Sequence, residues 1–297
     1  MLGVINLDKP VGPTSHDMVG LIRRLTGTRR IGHAGTLDPL ASGVLPILVG
    51  PATRFSEELT GGRKRYDAMI RLGERSVTDD AEGPIAPVAG PLPDEAQIRQ
   101  ALSAFVGEFD QRPPDFSARK QEGRTAYRAA RAGTALELAP RRVVIEAIEI
   151  AGIERHDAVV DVGIDLRCGP GTYVRSLARD VGDRLGCGGH LRALRRTEAA
   201  GLRIGDAVTP EVLQEAATAG TLAERVLSVG DLLPLPAVVL DQPAAWRFVH
   251  GSPQDAPAGA NEGRVKVLEA HARLLGIGLV TGGQLRPDKV LPQGADS

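Results

Sequence analysis

The sequence predicts an α+β chain that ends in a small β-rich module, and three observations carry that reading. Segments alternating apolar and polar residues, at 66–72 and 157–168, are interleaved with segments whose apolar residues recur at helical spacing, near 14–25, 94–105 and 174–185. A proline-rich stretch, Leu232-Leu233-Pro234-Leu235-Pro236, reads as a linker. Short strands separated by glycine-rich turns follow it. With 297 residues and 42% hydrophobic content the chain has room for one large domain and a small one, expected at 1–233 and 236–297.

The elements follow in order. Residues 2–7 read as a short strand that Asp8-Lys9-Pro10-Val11-Gly12-Pro13 breaks. Thr14 or Ser15 then caps a helix with Val19, Ile22 and Leu25 on one face. Residues 29–42 read as a glycine-punctuated loop, and 44–49 as an apolar strand ending at Gly50. In 66–72, Tyr66, Ala68, Ile70 and Leu72 share one face, with Asp67, Met69 and Arg71 on the other. Asp94 and Gln97 form a capping box for a helix whose buried stripe is Ile98, Ala101, Leu102 and Phe105. Residues 124–132 read as a short helix closed by Gly133, aligning Arg124, Arg128 and Arg131 along one side. Strands are expected at 142–150 and 157–168, the second with Val160, Val162, Ile164, Leu166 and Cys168 on one face. Gly169-Pro170-Gly171 ends it, and a helix to about 185 has Val174, Leu177, Ala178, Val181 and Leu185 at core spacing. Thr209 and Pro210 open another helix as N-cap and first residue. Strands near 238–240, 264–269 and 273–280 suit a small β-barrel.

The net charge of −1 excludes a uniformly basic nucleic-acid binder, but the charge is unevenly distributed. Residues 74–110 carry eight acidic and two basic side chains, whereas 112–142 carry eight basic and three acidic, a local net of +5. A local basic face is what phosphate recognition needs. Arginine outnumbers lysine 31 to 5, which a GC-rich genome would also produce, so the clustering is the signal and the total is not. No apolar run approaches a membrane span, and the first residues lack the pattern of a secretory signal, so a cytoplasmic protein is expected. Cys168 and Cys187 form no Cys-x-x-Cys pair and read as ordinary thiols; no metal-ligand spacing and no phosphate-binding glycine loop is present.

Four residues invite a chemical reading. Asp38 stands in the loop Gly32-His33-Ala34-Gly35-Thr36-Leu37-Asp38-Pro39, whose glycines allow close backbone approach to a ligand. Alone, an Asp-Pro pair is also an ordinary turn opener. Tyr66 follows Arg63-Lys64-Arg65 and reads either as a core tyrosine or as a ring stacked on a base beside phosphate-holding cations. Arg175 sits in the first turn of a helix, where the dipole disfavours a cation, so it reads either as a solvated arginine or as the partner of a carboxylate. His33 is the one histidine of the Arg-flanked loop.

Together these segments resemble the TruB family of tRNA pseudouridine synthases. The matching stretches, in family order, are Asn6-Leu7-Asp8-Lys9-Pro10 with Thr14-Ser15-His16-Asp17; Gly32 to Gly43; Lys64-Arg65-Tyr66; Pro113-Pro114 with Ser117-Ala118-Arg119-Lys120; Gly171-Thr172-Tyr173-Val174-Arg175; and Leu194-Arg195-Arg196. Ala34 departs from the family, which often has threonine there. The tail resembles a PUA-like RNA-binding module through Gly276-Ile277-Gly278, Leu285-Arg286-Pro287 and Lys289-Val290-Leu291.

The resemblance implies a pseudouridine synthase fold: a large, mainly antiparallel mixed sheet flanked by helices, with an RNA cleft across it and 112–142 as a clamp. It implies isomerisation of a uridine in the T loop of tRNA, uridine 55, by base flipping. No cofactor, metal or membrane is implied; a monomer and an accompanying tRNA-folding role are. By resemblance Asp38 is the essential carboxylate, Tyr66 packs on the flipped uracil, and Arg175 pairs with Asp38. Tyr173 and Leu194 become pocket wall, and His33 fills the space the nucleotide leaves. Lys9, Lys64, Arg124, Arg128 and Arg131 become substrate-binding. Two rivals remain at this stage. A non-catalytic RNA binder would not need Asp38, and a glycoside hydrolase would need a second carboxylate in the site.

Overall fold

The computed structural model describes residues 1–116, 120–121, 124–125 and 138–292. A nine-stranded sheet forms the body. Its main path runs Gly3–Lys9, Ala41–Val49, Gly189–Ala199, Lys64–Leu72, Val160–Cys168, Arg141–Arg155, Gly107–Gln111. Every pairing is antiparallel except Ala41–Val49 with Gly189–Ala199, where Leu194 faces Ala41 and Arg196 faces Gly43. The mainly antiparallel mixed sheet expected from the sequence is therefore present.

The strand Gly189–Ala199, central to this sheet, is absent from the sequence reading. Its register slips between Leu191 and Ala193 and again between Arg196 and Glu198, which destroys the two-residue period. It also carries three arginines, Arg192, Arg195 and Arg196. In the fold they are partnered: Arg192 with Asp161, Arg195 with Asp8 at 2.7 Å, and Arg196 with backbone carbonyls. Another unexpected strand, Ile31–His33, lies inside the segment read as a loop and pairs with Ala41–Val49.

Helix ends follow local chemistry. Thr14 and Asp17 form a reciprocal capping box for Ser15–Thr26, and Asp94 and Gln97 do the same for Glu95–Ser103. Thr209 caps Pro210–Thr218. Val174–Leu185 ends at Gly186, whose φ of 72° is the left-handed cap glycine accepts without strain. Its Leu177, Ala178 and Val181 bury against Ile70, Leu72 and Leu191 of the sheet in the main core. The helix expected at 124–132 is contradicted at its start: Arg124–Thr125 is extended and pairs with Lys120–Gln121. Residues 126–137 lie outside the described residues.

The tail forms a five-stranded sheet, adding Gln254–Asp255, Gln284–Val290 and the helix Gln242–Val249 to the three expected strands. Its core comprises Val238, Leu240, Phe248, Val265, Val267 and Leu285. A second cluster joins tail to body: Ile277 and Leu291 pack with Val4, Val44, Leu48 and Phe55. The stretch expected as a linker belongs to that cluster, with Leu233 buried. Glu58 of the body adds ion pairs to Lys289 at 2.8 Å and Arg264 at 2.6 Å.

Gly43 is the tightest point of the parallel junction. Its φ is +101°, and a Cβ there would lie 2.2 Å from the Arg196 carbonyl oxygen. Gly43→Ala is expected to destabilise the protein by roughly 1–3 kcal/mol from backbone strain alone, with strand displacement added. Thermal melting measures this, and an unchanged Tm would show that the two strands separate at no cost.

Candidate active site

The Asp38 loop is held from three sides. The hydroxyl of Ser15, at the start of the first helix, accepts from the Leu37 N–H at 2.8 Å and donates to the Leu37 carbonyl at 2.9 Å. The Gly12 N–H donates to the Pro39 carbonyl, and the Ala41 N–H to the Asp38 carbonyl. Lys9, fully buried, donates to the carbonyls of Pro10 and Pro13 at 2.8 and 2.7 Å. Burial drives its ammonium down to about 8, with Asp38 opposing. Lys9 thus braces the turn that supports the loop and is not in the cavity wall.

Arg175 enters from the opposite side, in the first turn of Val174–Leu185. Its Nε stands 3.0 Å from Asp38 Oδ2. Its Nη1 donates to the Thr78 carbonyl at 3.1 Å and lies 3.6 Å from Asp80 Oδ2, and its Nη2 donates to the Phe116 carbonyl at 2.8 Å. The cation that the helix dipole disfavours is therefore offset by two carboxylates and two carbonyls. Asp80 is buried, and its Oδ1 accepts from the Thr78 hydroxyl at 2.5 Å and the Glu82 N–H at 3.1 Å. The Asp38 side chain keeps 40% of its surface exposed. Its Oδ1 has no hydrogen bond among the described residues.

These groups border a cavity of about 260 Å³ with Tyr66, Lys64, Tyr173, Leu194 and Arg196 in its wall. Tyr66 is 6% exposed. Burial pushes its phenol up against the opposing charge of Arg196, so it is neutral near pH 7. The ammonium of Lys64 donates to the carbonyls of Thr60 and Gly62, and burial followed by Arg196 lowers it to about 8. Tyr173 is fixed by Gln111, whose Oε1 accepts from its N–H at 2.8 Å and whose Nε2 donates to its carbonyl at 3.1 Å.

His33 lines an adjoining groove of about 550 Å³ with Arg141 and Arg142. Groove and cavity share Thr60 and Gly171. Burial, then Arg196 and His16, lower the His33 pKa, so its ring is neutral at pH 7. The side chain of Arg124, and Arg128 and Arg131 entirely, lie outside the described residues.

The structure thus brings Asp38, Tyr66, Lys64, Tyr173, Arg175 and Leu194 to one cavity, with His33 beside it and Lys9 behind it. Asp80, Gln111, Ser15 and Arg196 were not singled out from the sequence. A partner for Arg175 was expected, but nothing in the acidic segment 74–110 marks Asp80 as a second one. Arg196 belongs to a matching motif, yet sequence alone does not show that an arginine in that position is buried.

Chemically, the arrangement presents one positioned carboxylate at a cavity with aromatic and aliphatic walls. Asp80 is not part of that wall, so among the described residues the cavity holds no second carboxylate of the kind common glycoside hydrolases use to flank a glycosidic bond.

Three family models cover most of the chain. A model of the TruB family pseudouridylate synthase N-terminal domain matches residues 23–174. Models of the tRNA pseudouridylate synthase B C-terminal domain and of a pseudouridine synthase II TruB C-terminal region match 175–238 and 236–291. Among curated proteins, tRNA pseudouridine synthase B of Burkholderia mallei is 43% identical over 300 residues, covering 99% of this chain and 98% of its own. The Ralstonia pickettii protein of the same name is 42% identical over 300 residues, covering 97% and 94%. Among solved structures, a chain of a Cbf5-Nop10-Gar1 complex matches with a TM-score of 0.74 and 29% identity, covering 98% of this chain and 85% of that one. A chain of an H/ACA RNP bound to a substrate RNA containing 2′-deoxyuridine matches equally, TM-score 0.74 at 27% identity, covering 99% and 86%.

Proposed function

The chain belongs to the TruB family of tRNA pseudouridine synthases, which isomerise uridine to pseudouridine in tRNA, and from that premise we propose that its target is uridine 55 of the T loop. The observation that carries the site assignment is Asp38, held by Arg175 at 3.0 Å, at the mouth of a cavity that contains Tyr66. The reaction breaks the bond from ribose C1′ to uracil N1, turns the ring and forms the bond from C1′ to C5; C5 loses its proton and N1 takes one up. It needs a carboxylate facing the nucleoside, a ring to pack on the base, and walls that retain the free uracil. Asp38, Tyr66, and Tyr173 with Leu194 fill those roles.

Flipping costs a few kcal/mol, least in a loop, which favours a T-loop uridine over a duplex one. His33, neutral and at the cavity's edge, is placed to occupy the gap left by the flipped nucleotide. The protein acts as a monomer on the T stem-loop, with its tail as a PUA-like RNA-binding module. A tRNA-folding role would draw on the same RNA contacts and would survive loss of Asp38. Incubation with unmodified tRNA transcript, followed by pseudouridine mapping, tests the reading. Conversion at position 55 alone is expected, and conversion elsewhere would reassign the substrate.

The basic 112–142 segment is the proposed RNA clamp. Binding should weaken with salt although the net charge is −1. Each phosphate contact contributes roughly −0.7 to the slope of log K against log salt, so replacing Arg124, Arg128 and Arg131 with Gln should flatten it by about two units. KM should rise more than the single-turnover rate falls. An unchanged slope in a folded triple variant would move the clamp elsewhere.

A further inference from the structure

Arg196 has an environment that the site as described does not use. Its side chain is among the largest fully buried ones in the protein, at 1% exposure. It forms no ion pair with a carboxylate of the described residues. Nε donates to the Val44 carbonyl at 2.7 Å and Nη2 to the Gly35 carbonyl at 3.0 Å. A guanidinium has five N–H donors, so others remain, and the group also faces the Tyr66 hydroxyl.

Arg196 lines the same cavity as Asp38. Beside it stands Lys64, whose ammonium is bonded to backbone carbonyls. Gly35 lies against both side chains: a Cβ there would sit 3.5 Å from Arg196 Nη1 and 3.7 Å from Lys64 Cε, in van der Waals contact with each. Burying a cation without a carboxylate is costly, and placing a second cation nearby adds to the cost. Such an arrangement persists when it serves an anion that is present only during the reaction.

The isomerisation supplies that anion. The substrate uracil is neutral. When the C1′–N1 bond breaks, its electron pair leaves with N1, and the negative charge spreads over the ring and its carbonyl oxygens. The charge is neutralised when the ring uses its electrons to bond C5 to C1′, and the product forms when C5 then loses its proton and N1 takes one up. We propose that Arg196 is a catalytic residue whose guanidinium stabilises the detached uracil anion while it turns in the cavity. The inference rests on the assignment of the Asp38 cavity as the active site. A backbone phosphate is the other anion an arginine could meet, but the burial of Arg196 at the sheet, beside Tyr66, favours the base.

The experiment compares Arg196→Gln and Arg196→Lys with the native protein on two tRNAs, one bearing uridine and one 5-fluorouridine at the target position. Fluorine withdraws charge and stabilises the ring anion. Because C5 then has no proton to lose, the reading is single-turnover loss of the starting nucleotide. Arg196→Gln should lose roughly 10²–10³-fold on uridine, as removal of one preorganised charge-stabilising donor does, and clearly less on 5-fluorouridine. Arg196→Lys, which keeps a charge, should lose less than Gln on uridine. tRNA affinity and its salt slope should stay near native.

Equal losses on both bases in both variants, or no loss, would overturn the proposal. A salt slope flatter by about 0.7 would make Arg196 a phosphate contact instead. Should the Gln variant fail to fold, the comparison of bases in Arg196→Lys decides alone. Asp38→Asn measured alongside must be inactive on both bases. Activity there would refute the site assignment itself, separately from the role of Arg196.

Discussion

Asp38→Asn is expected to abolish isomerisation, by on the order of 10⁴-fold, the scale on which a carboxylate-to-amide change disables a catalytic unit. tRNA binding should remain within a few-fold of native. The amide keeps the shape of the side chain but is a poor nucleophile and a poor base. Stability should change little. The Asp38 side chain is 40% exposed and its loop is fixed by the backbone contacts of Ser15 and Gly12, so the amide is not stranded in the interior. Arg175 also keeps Asp80 and two carbonyls when Asp38 is neutralised. Single-turnover conversion and filter binding separate the two effects. Turnover in the variant would remove Asp38 from its role, and an equal loss of binding would make it a docking residue.

Arg175→Met is expected to slow the chemical step by roughly 10²–10³-fold and, unlike Asp38→Asn, to destabilise the fold. The difference follows from what each change leaves behind. Removing Arg175 frees Asp38 to reorient and strands Asp80, which is buried and has no other cation within ion-pair distance among the described residues. Breaking a buried pair from one side costs about 3–5 kcal/mol. Arg175→Lys should recover stability better than activity. A point charge can neutralise Asp80 but cannot reach Asp38, the Thr78 carbonyl and the Phe116 carbonyl at once. A Met variant as stable and as fast as the native protein would refute the coupling of the two carboxylates through Arg175.

Sequence reading succeeded where the determining chemistry is local. The capping boxes at Thr14 and Asp94 and the Thr209–Pro210 helix start depend on residues a few positions apart. The alternation of Val160–Cys168 follows from burial of one strand face against the core. Asp38, Tyr66 and Arg175 were legible because each stands in a short motif, and Arg175 also because its helix position was electrostatically wrong for an isolated cation. Reading failed where long-range contacts decide. Gly189–Ala199 is a strand because Asp161, Asp8 and the Val44 carbonyl wait for its arginines from distant parts of the chain. Asp80 joins the site across 95 positions from Arg175, through a turn whose Asp79 adopts a φ of 61°. Lys9 shows a placement the sequence does not reveal: its ammonium is buried and donates to the carbonyls of Pro10 and Pro13.

The central claim is that Asp38 meets a flipped uridine in the cavity walled by Tyr66, Tyr173 and Leu194. A crystal structure of the Asp38→Asn variant with a T stem-loop tests it most directly. The account predicts the target base out of its stack, packed on Tyr66, with its ribose C1′ or uracil C6 roughly 3–3.5 Å from the residue-38 side chain, the separation of a near-attack geometry. A target uridine still stacked in the loop, or seated in the His33 groove away from residue 38, would contradict it.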